Sequence, residues 1–472
     1  MKKNQLKLKF YPGFNCSFLK SCSTLALIFA CISGFAQSWV PVGGADFTSG
    51  SCQYNSLTID HSGNLFFVYE DGVLGGGGAG KASVMKYDGT SWSFVGSERF
   101  SAGDATYTSI ALNNSGTPYV AYVDNATASA GATVMKYNGT SWVNVGTPGF
   151  SAGEVNYTTL ALDTAGTPYV AYEDYTCAQK GTVMKFNGTT WVNVGASCFT
   201  PGQANFVTMA VWGVTPYVFY SDVVNGSKAS VMKYNGTSWV NVGVAGFSTG
   251  AITATSMSIN AGGTPYVAFP DFTLNGKLVV MKFNGTSWVN VGTPGFSDTA
   301  VGFTSLAIDP GGTPYVAFED MGTLKMTVMK FNGIAWVNAG SPSFTPGTTQ
   351  WISMAISASG KPYVAYQDWV NSNKATVVTA GGWLGETDPV NIHSGSISVF
   401  PNPAHGSFNI LVKASGNDDA QITITNILGQ RVKEITLPTN IETKLLLNEP
   451  AGVYFITAIS NKERVTSKIV IE

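Results

Sequence analysis

Seven aspartates at equivalent positions of a repeated segment are the most regular set of potentially reactive side chains in this sequence. Carboxylates can accept hydrogen bonds from sugar hydroxyls, bind cations, or act as general acids and bases. They can also accept backbone N–H bonds and shape the loop that follows a strand. Sevenfold repetition favours this structural role, because a catalytic group is needed only once. Seven weak glycan or cation sites, or one central site, stay open as alternatives. The residues are Asp71, Asp124, Asp174, Asp222, Asp271, Asp320 and Asp368.

Three of these aspartates are followed directly by an aromatic residue: Tyr175, Phe272 and Trp369. An aromatic face beside a carboxylate suits a sugar, which presents an apolar ring face and hydroxyl groups. Packing of the loop itself is the competing interpretation. We therefore predict that the seven aspartates and these three aromatic residues are candidate ligand-binding residues.

Other catalytic side chains are scarce. Between residues 38 and 386 the chain has one histidine, His61, and one arginine, Arg99. No Ser-His-Asp triad, zinc-ligand set or Ca²⁺ loop can be assembled from this composition. We therefore expect no catalytic residue, no metal and no cofactor. A cross-loop carboxylate pair such as Glu154 with Asp174 is the one arrangement that would support glycoside hydrolysis.

The cysteine pattern allows one disulfide. Cys177 and Cys198 both fall in predicted loops of the same repeat, and an exported chain can oxidise them. Their pairing is an open possibility, and it would leave Cys52 free.

The repeat that carries these residues has a period of about 49 residues and contains four short alternating runs. Its clearest mark is the decapeptide YNGTSWVNVG at 137–146, with copies at 186, 234 and 283 and looser ones at 87 and 331. Alternation bounded by Gly, Pro and Asn predicts strands, and Asn-Gly between two runs predicts a tight hairpin in which both central residues have positive φ. Four strands per repeat and seven repeats predict an all-β fold, a seven-bladed β-propeller over residues 37–383.

Closure of the ring is predicted from a stray copy of the fourth strand. SWVPVG at Trp39 precedes the first repeat and can pair with the last one. The repeated tryptophans are predicted to lie between blades. The loops after the second strands and the linkers after the fourth strands should share one face, so the aspartates should form a ring there.

The NGTSW turn resembles the Asp-box of sialidase-like propellers, since Gly139, Ser141 and Trp142 fit its spacing. The defining aspartate would fall at Tyr137 and is absent from every copy. The resemblance to seven-bladed sialidase-like or kelch-like propellers is therefore partial and implies fold alone.

The N-terminus predicts export. Residues 1–36 have five lysines followed by an apolar stretch at 21–35, which is too short to span a bilayer and ends in small residues. We predict a signal peptide over 1–36 and no membrane span in the mature protein. Removing it lowers the formal net charge from −2 to −7, which disfavours nucleic acid as a partner.

The C-terminal segment has a different pattern. Residues 384–395 are predicted to be a linker, and alternating runs over 396–472 predict a small immunoglobulin-like β-sandwich of about seven strands. This segment resembles the type A C-terminal sorting domain of the type IX secretion system (Por secretion). The residues that carry the resemblance are Pro401, Asn402, Pro403, Gly406, Gly429, Gly452, Tyr454 and Lys468. It implies handling by the type IX secretion machinery and a location that is secreted or attached to the outer-membrane surface.

The combined expectation is a secreted or cell-surface propeller that acts as a non-catalytic binding module for a glycan or a surface protein. Similar weak sites on each blade would provide avidity. The alternatives are a secreted glycan-degrading hydrolase and a surface scaffold without ligand.

Overall fold

A computed structural model describes residues 38–72, 80–381, 396–413, 416–426, 431–460 and 463–472. The predicted signal peptide, the predicted linker and Gly429 lie outside these residues. The regular secondary structure of the described residues is almost entirely β-strand. Its short 3-10 helices are at Tyr175–Cys177, Val223–Asn225 and Phe272–Leu274.

The repeats form four-stranded antiparallel sheets, the blades, whose strands we name A to D from the inside outward. Strand D of blade 7 is β1 (Trp39–Pro41), and the other strands follow in chain order A, B, C and D from blade 1. They are β2 (Ser51–Ile59), β3 (Leu65–Gly72), β4 (Lys81–Tyr87), β5 (Trp92–Phe94); β6 (Ala105–Leu112), β7 (Pro118–Asp124), β8 (Gly131–Tyr137), β9 (Trp142–Asn144); β10 (Val155–Leu162), β11 (Pro168–Asp174), β12 (Lys180–Phe186), β13 (Trp191–Asn193); β14 (Ala204–Trp212), β15 (Thr215–Asp222), β16 (Lys228–Tyr234), β17 (Trp239–Asn241); β18 (Ser256–Ile259), β19 (Pro265–Asp271), β20 (Lys277–Phe283), β21 (Trp288–Asn290); β22 (Val301–Ile308), β23 (Pro314–Asp320), β24 (Lys325–Phe331), β25 (Trp336–Asn338); and β26 (Thr349–Ile356), β27 (Pro362–Asp368), β28 (Lys374–Ala380).

The burial pattern explains why a blade cannot stand alone. Strand B of blade 3, β11, is buried at every position, so both of its faces need a cover. Neighbouring blades provide it: Tyr169 packs with the core of blade 4, and Tyr172 belongs to the cluster shared with blade 2. Each blade is therefore stabilised by the next one around the ring.

Ring closure follows the prediction from the stray N-terminal copy. Strand β1 pairs antiparallel with β28, with Trp39 opposite Ala380. The inner strands also close on themselves, because β2 packs against both β6 and β26. The predicted seven-bladed propeller and its N-terminal closing strand are confirmed.

The repeated tryptophans lie between blades, as predicted. Trp191 is 9% exposed, and its indole Nε1 donates to the Val145 carbonyl of the preceding blade at 2.6 Å. Its ring stacks on Phe150 with centroids 4.1 Å apart. The same bond, at 2.6 to 2.8 Å, is made by Trp39, Trp92, Trp142, Trp239, Trp288 and Trp336.

The turn between strands C and D differs from the predicted one. It has four residues, Asn138 to Ser141, and only Gly139 has positive φ, at 101°. The Asn138 side chain accepts hydrogen bonds from the backbone N–H groups of Thr140 and Ser141, at 3.0 and 2.9 Å. The two-residue hairpin with two positive φ angles is wrong, because the asparagine acts through its side chain.

The C-terminal domain is a two-sheet sandwich. One sheet has the order β29-β30-β33 and the other β32-β31-β34-β35. Inward residues of both sheets, among them Phe408, Ile424 and Ile456, form one core. The strands are β29 (Ser396–Phe400), β30 (Ser407–Lys413), β31 (Asp419–Asn426), β32 (Arg431–Pro438), β33 (Thr443–Leu446), β34 (Gly452–Ser460) and β35 (Glu463–Ile471).

Candidate functional site

The seven aspartates stand where predicted, each at the end of a strand B, and all are between 0% and 8% exposed. Their carboxylates have partners within the protein. Asp174 accepts from Thr182 of strand C at 3.0 Å and from the Thr176 backbone N–H at 3.0 Å. Asp124 repeats this arrangement with Thr133 and Ala126. The carboxylates thus join strand C to the turn that follows strand B.

The same role recurs in the other blades. Ser83 and Ser230 donate to Asp71 and Asp222, each at 2.8 Å. Backbone N–H groups two residues further on donate to Asp271, Asp320 and Asp368. These contacts support the loop-shaping interpretation of the aspartates, because little carboxylate surface is left for a ligand.

Loops after strands B and linkers after strands D share one face, which we call the aspartate face. The residue after each aspartate donates its N–H to the linker entering the same blade: Tyr175 to the Glu154 carbonyl at 3.1 Å and Phe272 to Ala251 at 3.0 Å. Cys177 and Cys198, one from each kind of segment, form a disulfide on this face. Cys52 is free and buried.

The three aromatic residues after the aspartates are surface residues of this face. Tyr175 is 37% exposed, Trp369 51% and Phe272 57%. Tyr175 is held by Asn156, whose Nδ2 donates to the phenol oxygen at 2.8 Å. Trp369 donates from Nε1 to Gln367 at 3.1 Å.

The proposed hydrolytic pair does not offer two free carboxylates. Glu154 lies beside Asp174 in space, since Val155 pairs with Asp174, but the Asp174 carboxylate is bound by threonines. Asp174, Cys177 and Cys198 form the one group of three potential metal ligands among the described residues. Their two sulfurs are joined in the disulfide and are not available as thiolates.

A second set of residues converges on the propeller axis. Strand A of most blades contains a β-bulge: in blade 3, Asn156 pairs with Glu173 and Thr159 with Ala171, which leaves Tyr157 and Thr158 opposite one residue. The first bulge residue is aromatic in six blades. We call these residues the aromatic collar: Tyr54, Tyr107, Tyr157, Phe206, Phe303 and Trp351.

Collar rings contact one another around the axis. The ring centroids of Tyr54 and Tyr107 are 4.6 Å apart, those of Tyr107 and Tyr157 4.8 Å, and those of Trp351 and Tyr54 4.2 Å. Phe303 continues the series to Trp351 at 5.1 Å. Blade 5 breaks the collar, because its equivalent residue is Ala254.

The backbone at the collar is strained. Tyr107, Tyr157, Phe206 and Trp351 have φ between 50° and 55°, and Tyr54 and Ala254 have 44° and 48°. Positive φ is uncommon outside glycine and costs about 1–3 kcal/mol per residue, and such strain concentrates at functional sites.

Inter-blade hydrogen bonds hold this strained conformation. The Thr158 hydroxyl donates to the Tyr107 carbonyl of the preceding blade at 2.5 Å, and Thr304 does the same to Ala254. One residue on, the Ser109 hydroxyl accepts the Leu160 N–H at 3.0 Å. The Ser or Thr that begins the strand-A motif therefore helps to join the inner strands in most blades.

The collar borders a pocket of about 460 Å³ at the aspartate-face end of the inner strands, which we call the axial pocket. Its volume lies in the usual range of ligand sites, and no charged side chain lines it among the described residues. The side-chain amide atoms of Asn55 are buried, and its side chain lies beside the buried Cys52 thiol. The lining residues are Asn55, Tyr107, Tyr157, Phe206, Val207, Thr253, Ala254, Thr255, Phe303, Thr304, Trp351 and Ile352.

A buried glutamate supports one collar residue. Glu173 is 3% exposed, and its Oε1 accepts the backbone N–H of Phe206 in the next blade at 3.0 Å. Burial raises the pKa of Glu173 to about 7. Burial also raises the pKa of Glu319, at the same position of blade 6, to about 7.

Our sequence reasoning missed the axial pocket. The signal was present, because an aromatic residue stands two positions before the Ser or Thr of the strand-A motif in six of seven repeats. Strict alternation would place both residues on one side of the strand. The bulge inserts a residue between them and turns the aromatic toward the axis.

The sorting-motif residues of the C-terminal domain have structural partners. Asn402 donates from Nδ2 to the Lys468 carbonyl at 2.7 Å and accepts the Val470 N–H at 2.9 Å. Pro401 and Pro403 flank it in cis peptide bonds. Gly406 has a φ of 72°, and the Tyr454 hydroxyl donates to the Pro450 carbonyl. The motif thus connects the start of this domain to its last strand, while Lys468 and Gly452 are exposed.

Residues 398–472 match the family model described as "Secretion system C-terminal sorting domain". The protein therefore carries the type IX sorting domain that its C-terminal motifs resemble, and it is secreted or displayed at the outer-membrane surface. Among the described residues, no helix has the length and apolar character needed to cross a membrane. No curated protein matches the sequence.

Several solved structures resemble the chain at low identity. A protein of unknown function from Dyadobacter fermentans has 10% identity and a TM-score of 0.43, covering 73% of this chain and 97% of its own. An ulvan lyase of polysaccharide lyase family 25 has 14% identity and a TM-score of 0.44, covering 74% and 95%. A mutant of the Aleuria aurantia lectin, solved in complex with Fucα1-6GlcNAc, has 16% identity and a TM-score of 0.42, covering 64% and 99%. These likenesses are too distant to carry an argument about activity.

Proposed function

We propose that this exported propeller is a non-catalytic carbohydrate-binding protein whose ligand enters the axial pocket. The observation that supports the proposal is the aromatic collar, which borders a pocket at the centre of the aspartate face. Aromatic faces stack on the apolar faces of sugar rings. The Thr253 hydroxyl provides a polar group for sugar hydroxyls, and the Thr255 hydroxyl, which donates to the Phe206 carbonyl, can still accept a hydrogen bond.

The pocket chemistry favours a neutral sugar. Its described lining has no lysine, arginine or histidine to pair with a uronic or sialic acid carboxylate. It also has no carboxylate to act as a general acid or nucleophile, which glycoside hydrolysis requires. Binding without turnover is the function that this lining supports best.

The geometry also changes the expected stoichiometry. Seven equivalent aspartate sites would bind about seven ligands, whereas one pocket bordered by a collar from six blades binds one. Isothermal titration calorimetry on the secreted protein, with neutral glycans selected on a glycan array, measures this number directly. We expect one ligand per chain.

The test variant is Trp351→Ala, and the matched control is Trp212→Ala. Trp212 is 47% exposed and is the last residue of strand A in blade 4, at the opposite end from the collar. We expect Trp351→Ala to weaken binding by about tenfold or more, as for a buried aromatic anchor, and Trp212→Ala to leave it unchanged. Saturable binding that survives Trp351→Ala in a folded protein, or failure of every glycan to bind, would contradict the proposal.

A further inference from the structure

We propose that the gap in the collar at blade 5 is the exit for a linear neutral oligosaccharide, whose next sugar rests on Phe272. This inference rests on the proposed function and specifies its ligand. The terminal sugar occupies the axial pocket, and the chain leaves across blade 5. The ligand class is therefore an oligomer bound by its end, and a monosaccharide fills only part of the site.

The first step is that the collar has one opening. Aromatic side chains stand at the bulge position of six blades, and the contacts among them run from Phe303 through Trp351, Tyr54, Tyr107 and Tyr157 to Phe206. Between Phe206 and Phe303 the position is Ala254, whose side chain is a single methyl group. The series of aromatic side chains around the pocket is interrupted there.

The second step is that the opening leads to Phe272. The backbone N–H of Phe272 donates to the Ala251 carbonyl at 3.0 Å, which places the blade 5 loop beside the chain three residues before Ala254. Blade 3 shows how far a side chain in this loop reaches. There Tyr175, equivalent to Phe272, contacts Asn156, equivalent to the pocket-lining Thr253, at 2.8 Å.

The third step is that Phe272 is available. It is the most exposed of the three aromatic residues that follow the aspartates, at 57%. It begins a 3-10 helix fixed by Asp271, whose carboxylate accepts from the backbone and hydroxyl of Thr273 at 2.9 and 2.6 Å. A large exposed apolar side chain on a fixed backbone next to a pocket opening is a suitable platform for a second sugar ring.

The experiment compares a monosaccharide, disaccharide and tetrasaccharide of the neutral sugar found on the array, each titrated into the secreted protein. We expect affinity to rise from the monosaccharide to the disaccharide. Phe272→Ala should remove that gain, a loss of about 3- to 10-fold, and leave monosaccharide affinity unchanged. The control is Trp369→Ala, which removes an exposed aromatic residue beside blade 7, where the collar is complete; we expect no change.

A second variant closes the opening. Ala254→Phe places in blade 5 the residue that blade 4 already has at Phe206 with a similar φ, 55° against 48°, so the backbone can accept it. We expect the variant to fold with an unchanged melting temperature and to lose the preference for longer chains.

The outcomes separate the two proposals. One outcome contradicts only the exit at blade 5: a monosaccharide binds and the binding depends on Trp351, but longer chains bind no more tightly and Phe272→Ala has no effect. The proposed axial site is then retained. Equal losses in Phe272→Ala and Trp369→Ala also contradict the exit. Failure of all neutral glycans to bind overturns both proposals.

Discussion

The buried carboxyl of Glu173 makes the stability of the propeller depend on pH in a direction that can be worked out. Its folded-state pKa is about 7, against an ordinary value of 4.5. Between these two values the unfolded chain is ionised while the folded protein holds the proton. Stability therefore falls as pH rises from about 4.5 to about 7 and then levels off.

The perturbation is Glu173→Gln, which keeps the side-chain oxygen that accepts the Phe206 N–H and cannot ionise. The free energy of unfolding of the variant should match that of the wild type near pH 4.5. As pH rises the wild type loses stability, so the variant should become the more stable of the two. Each pKa unit corresponds to about 1.4 kcal/mol, so the difference between about 7 and 4.5 sets an upper limit of roughly 3 kcal/mol. Partial solvation of the group reduces that figure.

The assay is urea unfolding at a series of pH values from 4.5 to 8, followed by tryptophan fluorescence. The matched control is Glu154→Gln, which removes the same charge from an exposed position of the linker entering the same blade. A stability difference between Glu173→Gln and wild type that does not change with pH would refute the reasoning. A pH-dependent gain of the same size in Glu154→Gln would also refute it, because it would assign the effect to net charge.

Two further predictions concern the blades. Trp191→Ala should lower the free energy of unfolding, measured by urea unfolding, by about 3–5 kcal/mol. Trp39→Ala removes the same contacts at the closure and should lower it by a similar amount. A near-zero effect of Trp39→Ala would contradict ring closure by β1. Asp124→Ala should cost about 1–3 kcal/mol, because it leaves the Thr133 hydroxyl and the Ala126 N–H without their acceptor, yet glycan affinity measured on the folded variant should not change. A loss of glycan affinity in the folded Asp124→Ala variant would indicate that the aspartates bind the ligand.

The fold was predictable because each blade repeats the same local signals. Alternating runs, turn residues and one tryptophan per repeat mark the strands, and the extra copy at Trp39 predicts the closure of the ring. The shared face of the B–C loops and D–A linkers follows from the meander alone. The sequence repeat did not predict the geometry of the β-bulge in strand A. Tyr157 follows Asn156 in an alternating strand, and only the register shift beside Glu173 shows that its ring turns inward.

For the aspartates, the sequence predicted the position in the fold but not the function of the side chain. Their position was predictable, but their environment depends on strand C, where a Ser or Thr such as Thr182 meets the carboxylate. A sequence pattern gives the residue type and not its hydrogen-bond partners. The regular spacing therefore identified seven side chains whose described hydrogen bonds stabilise the loops of the fold.

Function in a symmetric ring is better sought where the symmetry fails. A residue present in all seven blades, such as the strand-B aspartate, meets a need that every blade has. Ala254 replaces an aromatic residue in one blade, and Asn55 stands in another at a position where the other blades have Thr, Val or Ile. Both border the axial pocket, where contributions from most blades converge on a single volume. Residues from most blades form the walls of one site, and the small side chain of Ala254 interrupts its aromatic collar, which is why the decisive variants lie at the axis and at blade 5.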